Sequence, residues 1–417
     1  MWRNFDVGEV AEDFGRIAGF GFDGVRFFVR WDDFQPEPDR LNETMLEHLE
    51  TFAKIANDAG LRVIPALFCG HAAGANYLPS WALDRKTPAD RFPTFTGARA
   101  ASFGAANIYG SALREAQLLF ARTIGERLRG HPAIRAWDIG NAFSRVREPV
   151  HAKLSTGEHS SEPAGEREMA AWSAALSRTL RESSALPVTA GASFDDLAYD
   201  RDVRLGTLCA PFAFTSIGGL NVESPFARNR IDPEATPFFA MLAAAFSFKP
   251  VLVSGFGIPT CPAGKFSAFE RFAMPGDPPE VTISPEDSVF ATYPCAAEEE
   301  NAAFASAVLE RLHADGRLGA YWWTWADYPD AIRATSPFEV APYESVSGLI
   351  RKDGSEKPVA AALSAFARER RAVVEAADMP MIAAAYYYRT LPKSAKTLYD
   401  AFLRFVSERR ASTATPR

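Results

Sequence analysis

Short apolar runs recur along the chain, separated by longer stretches in which apolar residues return every three or four positions. The short runs have the length and β-branched or aromatic content of buried strands. They are Gly24-Val25-Arg26-Phe27-Phe28, Leu61 to Phe68, Ile134 to Asn141, Pro187 to Ser193, Phe214 to Leu220, Pro250 to Gly257 and Gly319 to Asp327. Helical spacing is plainest in Val7 to Ala18, Thr44 to Ala59 and Ser111 to Leu128. Such alternation predicts a parallel sheet covered by helices, and no Gly/Ser-rich or Pro-rich linker divides it. The expectation is one (β/α)8 barrel over residues 1–375, with extended strand-to-helix loops of which Pro262 to Glu300 is the longest.

Seven strands are evident where eight are expected. The chain opens in a helix that leads into what would be the second strand, so the first strand is not evident. Upstream chain, the first residues or the tail would have to cover the exposed edges. Residues 376–410, from Met379 through Ala385-Tyr386-Tyr387-Tyr388 to Phe405, read as a helical extension packed on the barrel, and 411–417 as a Ser/Thr/Pro tail.

Composition narrows the function. The chain has 417 residues, 47% hydrophobic, and 45 Lys and Arg against 52 Asp and Glu give a formal charge of −7. No basic block marks a nucleic-acid surface, and no run of about 20 apolar residues marks a membrane span. Met1 to Asp6 lacks the features of a secretory signal, so the expected location is cytoplasmic. Cys69, Cys209, Cys261 and Cys295 form no CxxC pair; the expectation is buried free thiols, with no metal and no cofactor.

Several strand-end segments together resemble the clan A glycoside hydrolases, in particular family 5 mannanases, glucanases and their relatives. Ala136-Trp137-Asp138-Ile139-Gly140-Asn141 is similar to the fourth strand of that family, which ends in Asn-Glu. Lys249 to Gly257 is similar to the seventh, which ends in a Glu often followed by Phe-Gly. Val25-Arg26-Phe27-Phe28 with Trp31-Asp32-Asp33 resembles the second-strand region, and Leu67 to His71 with Asn76-Tyr77-Leu78-Pro79 the third-strand loop. Tyr321 to Asp327 resembles the eighth strand with its sugar-stacking Trp, and Gly348 to Pro358 the closing loop.

The resemblance implies a retaining β-glycosidase ancestor, whose chemistry needs two carboxyls about 5 to 5.5 Å apart. Here Ala142 stands in the acid/base slot and Gly255 in the nucleophile slot. A methyl group and a hydrogen transfer no protons and attack nothing, so the chain is expected to be inactive, or nearly so, as a glycosidase. Gly218 and Leu220 stand where the family commonly carries a His and often a Tyr, and Tyr343-Glu344-Ser345-Val346-Ser347 is a candidate part of the altered rim. The resemblance further implies that Arg26, His71, Asn141, and Trp323 or Trp325 contact a carbohydrate or other small molecule in the barrel mouth. Arg26, mid-strand among apolar residues, needs an anion, and without Glu at 255 that anion is expected to be lost.

Three readings stay open: a barrel redesigned for another ligand or reaction, a carbohydrate-binding pseudoenzyme, and a register in which the catalytic pair lies elsewhere. For a different reaction Glu223, just past the fifth candidate strand, is the candidate general base. Cys69 is expected to be an inert thiol. Glu298-Glu299-Glu300 reads as the start of a helix.

Overall fold

The computed structural model describes residues 2–72, 74–88, 91–147, 164–220, 224–229, 231–260, 295–333, 342–369, 371–376, 379 and 382–414. All seven expected strands are present. They are β1 (Gly24–Arg30), β2 (Arg62–Cys69), β3 (Trp137–Asn141), β4 (Val188–Ser193), β5 (Thr215–Gly218), β6 (Val251–Phe256) and β7 (Gly319–Trp322). They form one parallel sheet in chain order. Parallel strands need crossovers, and α2 (Glu43–Asp58), α3 (Arg114–Arg127), α4 (Ala164–Ser183), α5 (Ala235–Ser247) and α6 (Glu298–Ala314) supply them, with two short helices between β4 and β5, while α1 (Val7–Gly19) precedes β1 and α7 (Pro358–Arg368) follows β7. The three helices expected from spacing are α1, α2 and α3, and Glu298 to Glu300 form the first turn of α6 as expected.

The helix starts follow from local chemistry. The Asp6 carboxylate accepts from the amide of Glu9 at the start of α1, and Asn42 does the same for Met45 at the start of α2. Pro358, which has no amide hydrogen to satisfy, opens α7. The apolar faces of these helices meet the outer face of the sheet. Phe52 of α2 lies 4.4 Å from Phe27 and 4.8 Å from Phe14, ring centroid to ring centroid.

Inside the sheet, Ile64, Ala136 and Phe214 pack together with Leu252 and Tyr321 as one layer. Each comes from, or directly precedes, a different strand, as the interior of a barrel requires. The sheet is open at the hydrogen-bond level, between β1 and β7. Its edges nevertheless meet through side chains: the Phe28 and Trp323 rings are 5.4 Å apart. At the other end of β1, a Cβ on Gly24 would come within 3.3 Å of the Tyr321 hydroxyl and 2.9 Å of the Arg62 carbonyl oxygen. The N-terminal turn helps to blunt this edge, since the Trp2 indole donates to the Phe28 carbonyl at 2.7 Å. Among the described residues no eighth strand joins the sheet.

Two expectations change. The last helix, α8 (Lys393–Ala414), runs into the segment expected as a tail. Its Phe402 and Tyr399 pack on Phe238 of α5, and Tyr387 donates to the Leu197 carbonyl, so the C-terminal helices are fastened to the barrel's outside. Cys69 and Cys209 are buried free thiols as expected, but Cys295 is disulfide-bonded. Linear spacing carried no signal of that bond, since it depends on which loops the fold brings together. Of the long loop, residues 261–294 lie outside the described region.

After β2 the chain builds an insertion over the sheet's C-terminal end. Residues 71–72, 75–77, 94–96 and 99–101 form a small second sheet, and Leu83–Pro88 pairs with Phe103–Ala105. This insertion forms one wall of the candidate site.

Candidate functional site

A cleft lies at the C-terminal ends of the strands, where a barrel's loops assemble its site. Its lining includes Arg26, His71, Asn141, Ala142, Gly218, Leu220, Gly255 and Trp323, eight positions singled out from the sequence. Arg145, Ser193, Ser254 and Glu344 also line it. Trp325 does not. It packs against Phe20, ring centroids 6.2 Å apart, with the Arg16 guanidinium 5.7 Å over its ring. Glu223, the candidate general base, lies outside the described residues.

Arg26 is not left without an anion. Its Nε donates to Asp138 Oδ2 at 2.9 Å and its second nitrogen to Asn141 Oδ1 at 3.1 Å. The other oxygen of Asp138 accepts from the amides of Gly140 and Gly191 at 3.1 and 3.0 Å. The Arg26 and Asp138 side chains are only 4% and 1% exposed. The expected loss of the partner is therefore corrected: an inward carboxylate two strands away supplies it. Two opposite charges, each mid-strand in an apolar run, were the available signal.

Positions 142 and 255, expected from the sequence to be the substituted slots, differ in their surroundings. Ala142 adopts a left-handed backbone, φ 47° and ψ 54°, a region sparsely populated by residues other than glycine. Its amide donates to the Gly191 carbonyl at 2.8 Å, which anchors the turn. Gly255 opens onto free space, for a Cβ built there meets nothing within 4 Å. Gly218 is the opposite case: a Cβ there would lie 2.9 Å from both the Gly255 nitrogen and the Ser254 hydroxyl. The pairing slips by one residue at this point, Ile217 facing Val253 but Gly218 facing Gly255. Such a bulge re-aims neighbouring residues at a sheet's rim.

His71 is buried against the insertion. Its Nδ1 is 2.8 Å from Asn76 Oδ1, while Asn76 Nδ2 donates to the Arg145 carbonyl at 3.0 Å. That second bond fixes the amide's orientation, so Nδ1 carries the proton and Nε2 is an acceptor. Burial, reinforced by the Arg145 charge, pushes its pKa down to about 3. Nearby, burial pushes the Asp195 carboxyl up, but Arg145, Arg91 and Arg201 outweigh it and hold the group below the usual carboxylate range. Burial raises Asp196 to about 6. It likewise raises the Cys69 thiol to about 12, which leaves no thiolate for chemistry.

A group that is neutral when folded but protonates near pH 6.5 when unfolded makes acid destabilising. The His71 contribution is fully present above pH 6.5 and is lost as pH falls toward 3. Asp196 acts in the opposite sense, its contribution lost as pH rises through 6. The urea midpoint is expected to drop more between pH 7 and pH 4.5 in the parent than in His71→Gln. Equal drops in the two proteins would refute a neutral buried His71.

Glu344 sits in the five-residue turn Pro342–Val346, within the segment flagged as an altered rim. It is 8% exposed, and its Oε2 accepts from the Trp323 indole at 2.5 Å. It is the one carboxylate among the described cleft-lining residues. Arg145, Ser193 and Ser254 were not singled out from the sequence. Ser193 and Ser254 lie in strands and Arg145 in the short helix after β3, and their residue types carry no distinctive pattern. Among the described residues no group of His, Cys, Asp and Glu is arranged to hold a metal ion, and no helix is long and apolar enough to cross a membrane.

No family model and no curated protein matches the chain. Solved structures do. A GH5_18 protein from Streptomyces cattleya, crystallised as a glutamate-to-alanine variant with Manβ1-4GlcNAc, superposes with a TM-score of 0.71 at 18% identity, covering 98% of this chain and 88% of that one. The corresponding variant of a GH5_18 protein from Bifidobacterium longum subsp. longum, with the same disaccharide, gives 0.65 at 20% identity, covering 90% and 76%. An exo-β-1,4-mannosidase from Opitutaceae bacterium strain TAV5 gives 0.65 at 22%, covering 88% of this chain and 56% of that chain.

Proposed function

We propose that this chain, whose fold is that of the family 5 glycoside hydrolases, binds carbohydrate at the mouth of its barrel and does not cleave it by the two-carboxylate route. One observation carries the reading: Ala142 and Gly255 both line the cleft, among residues suited to a sugar. Asn141 offers an amide to hydroxyls, and Trp323 an aromatic face to the apolar side of a pyranose. Neither slot residue transfers a proton or forms a covalent intermediate.

The fold relatives holding Manβ1-4GlcNAc favour a β-mannoside as the first ligand to try. Calorimetric titration with that disaccharide is expected to show saturable binding, and prolonged incubation no released sugar. Hydrolysis of the disaccharide or of an aryl β-mannoside would overturn the loss of chemistry. Absence of saturable binding across a panel of β-linked disaccharides would overturn the binding role. The disulfide at Cys295 weighs against the cytoplasmic placement read from the sequence, since such bonds persist mainly in oxidising compartments.

A further inference from the structure

We propose that Glu344 sets the ligand class of this cleft, selecting neutral polyhydroxylated sugars and rejecting uronic acids and other anionic sugars. The inference rests on the carbohydrate-binding reading above and adds to it a residue and a charge preference. Glu344 lines the cleft and holds the Trp323 indole through Oε2 at 2.5 Å. The Trp323 ring is backed in turn by Phe28 at 5.4 Å. One side chain thus both fixes the aromatic platform and places a carboxylate beside it.

The turn that carries Glu344 is clamped from beneath. Lys357, 2% exposed, donates through Nζ to the Val346 carbonyl at 3.0 Å, to Thr260 Oγ1 at 2.9 Å and to Asp327 Oδ1 at 2.7 Å. The Thr260 amide and hydroxyl both donate to the same Val346 carbonyl, at 3.1 and 2.8 Å. The Tyr328 amide donates to Ser345, and the Trp322 indole and Thr324 amide donate to Ser347. Burying an ammonium is costly unless it is paired, and here the pairing ties β6, β7 and the turn together. Glu344 is therefore positioned before any ligand arrives.

An ionised carboxylate only accepts hydrogen bonds, and it has about four lone-pair directions in which to do so. Sugar hydroxyls are donors to such a group, whereas a sugar carboxylate, sulfate or phosphate is repelled. The positive groups of the cleft do not reverse this preference. Arg26 is tied to Asp138, and Arg145 lies beside the ionised Asp195.

The experiment titrates the full chain and two variants with Manβ1-4GlcNAc and with a disaccharide ending in β-linked glucuronic acid, following tryptophan emission and heat. The parent is expected to bind the neutral sugar at least about tenfold more tightly than the acidic one. Glu344→Gln keeps an acceptor for the Trp323 indole; it is expected to lose about tenfold in affinity for the neutral sugar and to narrow the gap between the two. Trp323→Phe keeps the charge and an aromatic face, so its discrimination between the sugars is expected to survive. A parent that prefers the acidic sugar, a Glu344→Gln variant within about twofold of the parent, or loss of discrimination in Trp323→Phe would each overturn the proposal. If the parent binds the sugars but Glu344→Gln changes nothing, the role of Glu344 alone fails. If the parent binds neither, both readings fail.

Discussion

The double variant Ala142→Glu/Gly255→Glu is expected to hydrolyse 4-nitrophenyl β-mannoside at least about 10³-fold faster than the parent, while each single variant stays near background. Groups that act as a unit give little when only one is present, so the gain should appear almost wholly in the double variant. The backbone permits both changes. Gly255 has open space where a Cβ would go, and it is not in the left-handed region. Ala142 already places a Cβ on its left-handed backbone, so lengthening it to Glu, which is not branched at Cβ, adds no new clash at that atom. The measurement is initial rate against pH for all four proteins. Equal rates in the double and single variants would show that the slots are not the ancestral pair. Rescue of the Ala142→Glu single variant by azide would separately support position 255 as the nucleophile slot.

Removing the charge of Asp138 is expected to have the largest effect on stability. Asp138→Asn keeps the side chain's shape but leaves the buried Arg26 guanidinium facing an amide, a loss of about 3–5 kcal/mol. The affected set is wide, because Asp138 also accepts from the amides of Gly140 and Gly191 and so ties β3 to β4. Arg26→Met/Asp138→Asn, which removes both charges and keeps an acceptor for the two amides, is expected to recover much of that loss. Urea unfolding of the parent and both variants decides the matter. A cost below about 1 kcal/mol for Asp138→Asn would mean that Arg26 does not depend on this partner.

The sheet was legible because its inner strands are mostly buried on both faces and its strands read as apolar runs, even where the runs hold Arg26 and Asp138. The helical crossovers were legible wherever one face meets the sheet. The ion pair of Arg26 was not, because it joins residues far apart in the chain, and no linear spacing marked the disulfide at Cys295. For the ion pair the information was present but divided: an inward Arg on one strand and an inward Asp on another become partners only once strand order is known.

Much the same holds for the cleft. The resemblance to family 5 singled out Arg26, His71, Asn141, Ala142, Gly255 and Trp323, and all six line the cleft, where side chains near the C-terminal ends of barrel strands converge. Trp323 and Trp325 could not be told apart, because residues two apart lie on one face of a strand only while the strand stays regular, and β7 ends at Trp322. Glu344 was visible only as part of a rim segment. Its contact with Trp323 depends on a turn held by Lys357, thirteen positions further along, and no periodicity records that.

The contact between Gly218 and Gly255 makes the two positions unequal in what they can accept. A side chain can return to position 255 by one substitution, because space waits for it. At 218 the neighbouring backbone has moved into the volume that a Cβ needs, so any larger residue must first push two strands apart. On the proposed reading, the nucleophile slot is thus an open door, whereas the site beside it works as a ratchet: position 255 can take a carboxylate far more readily than position 218 can take any side chain.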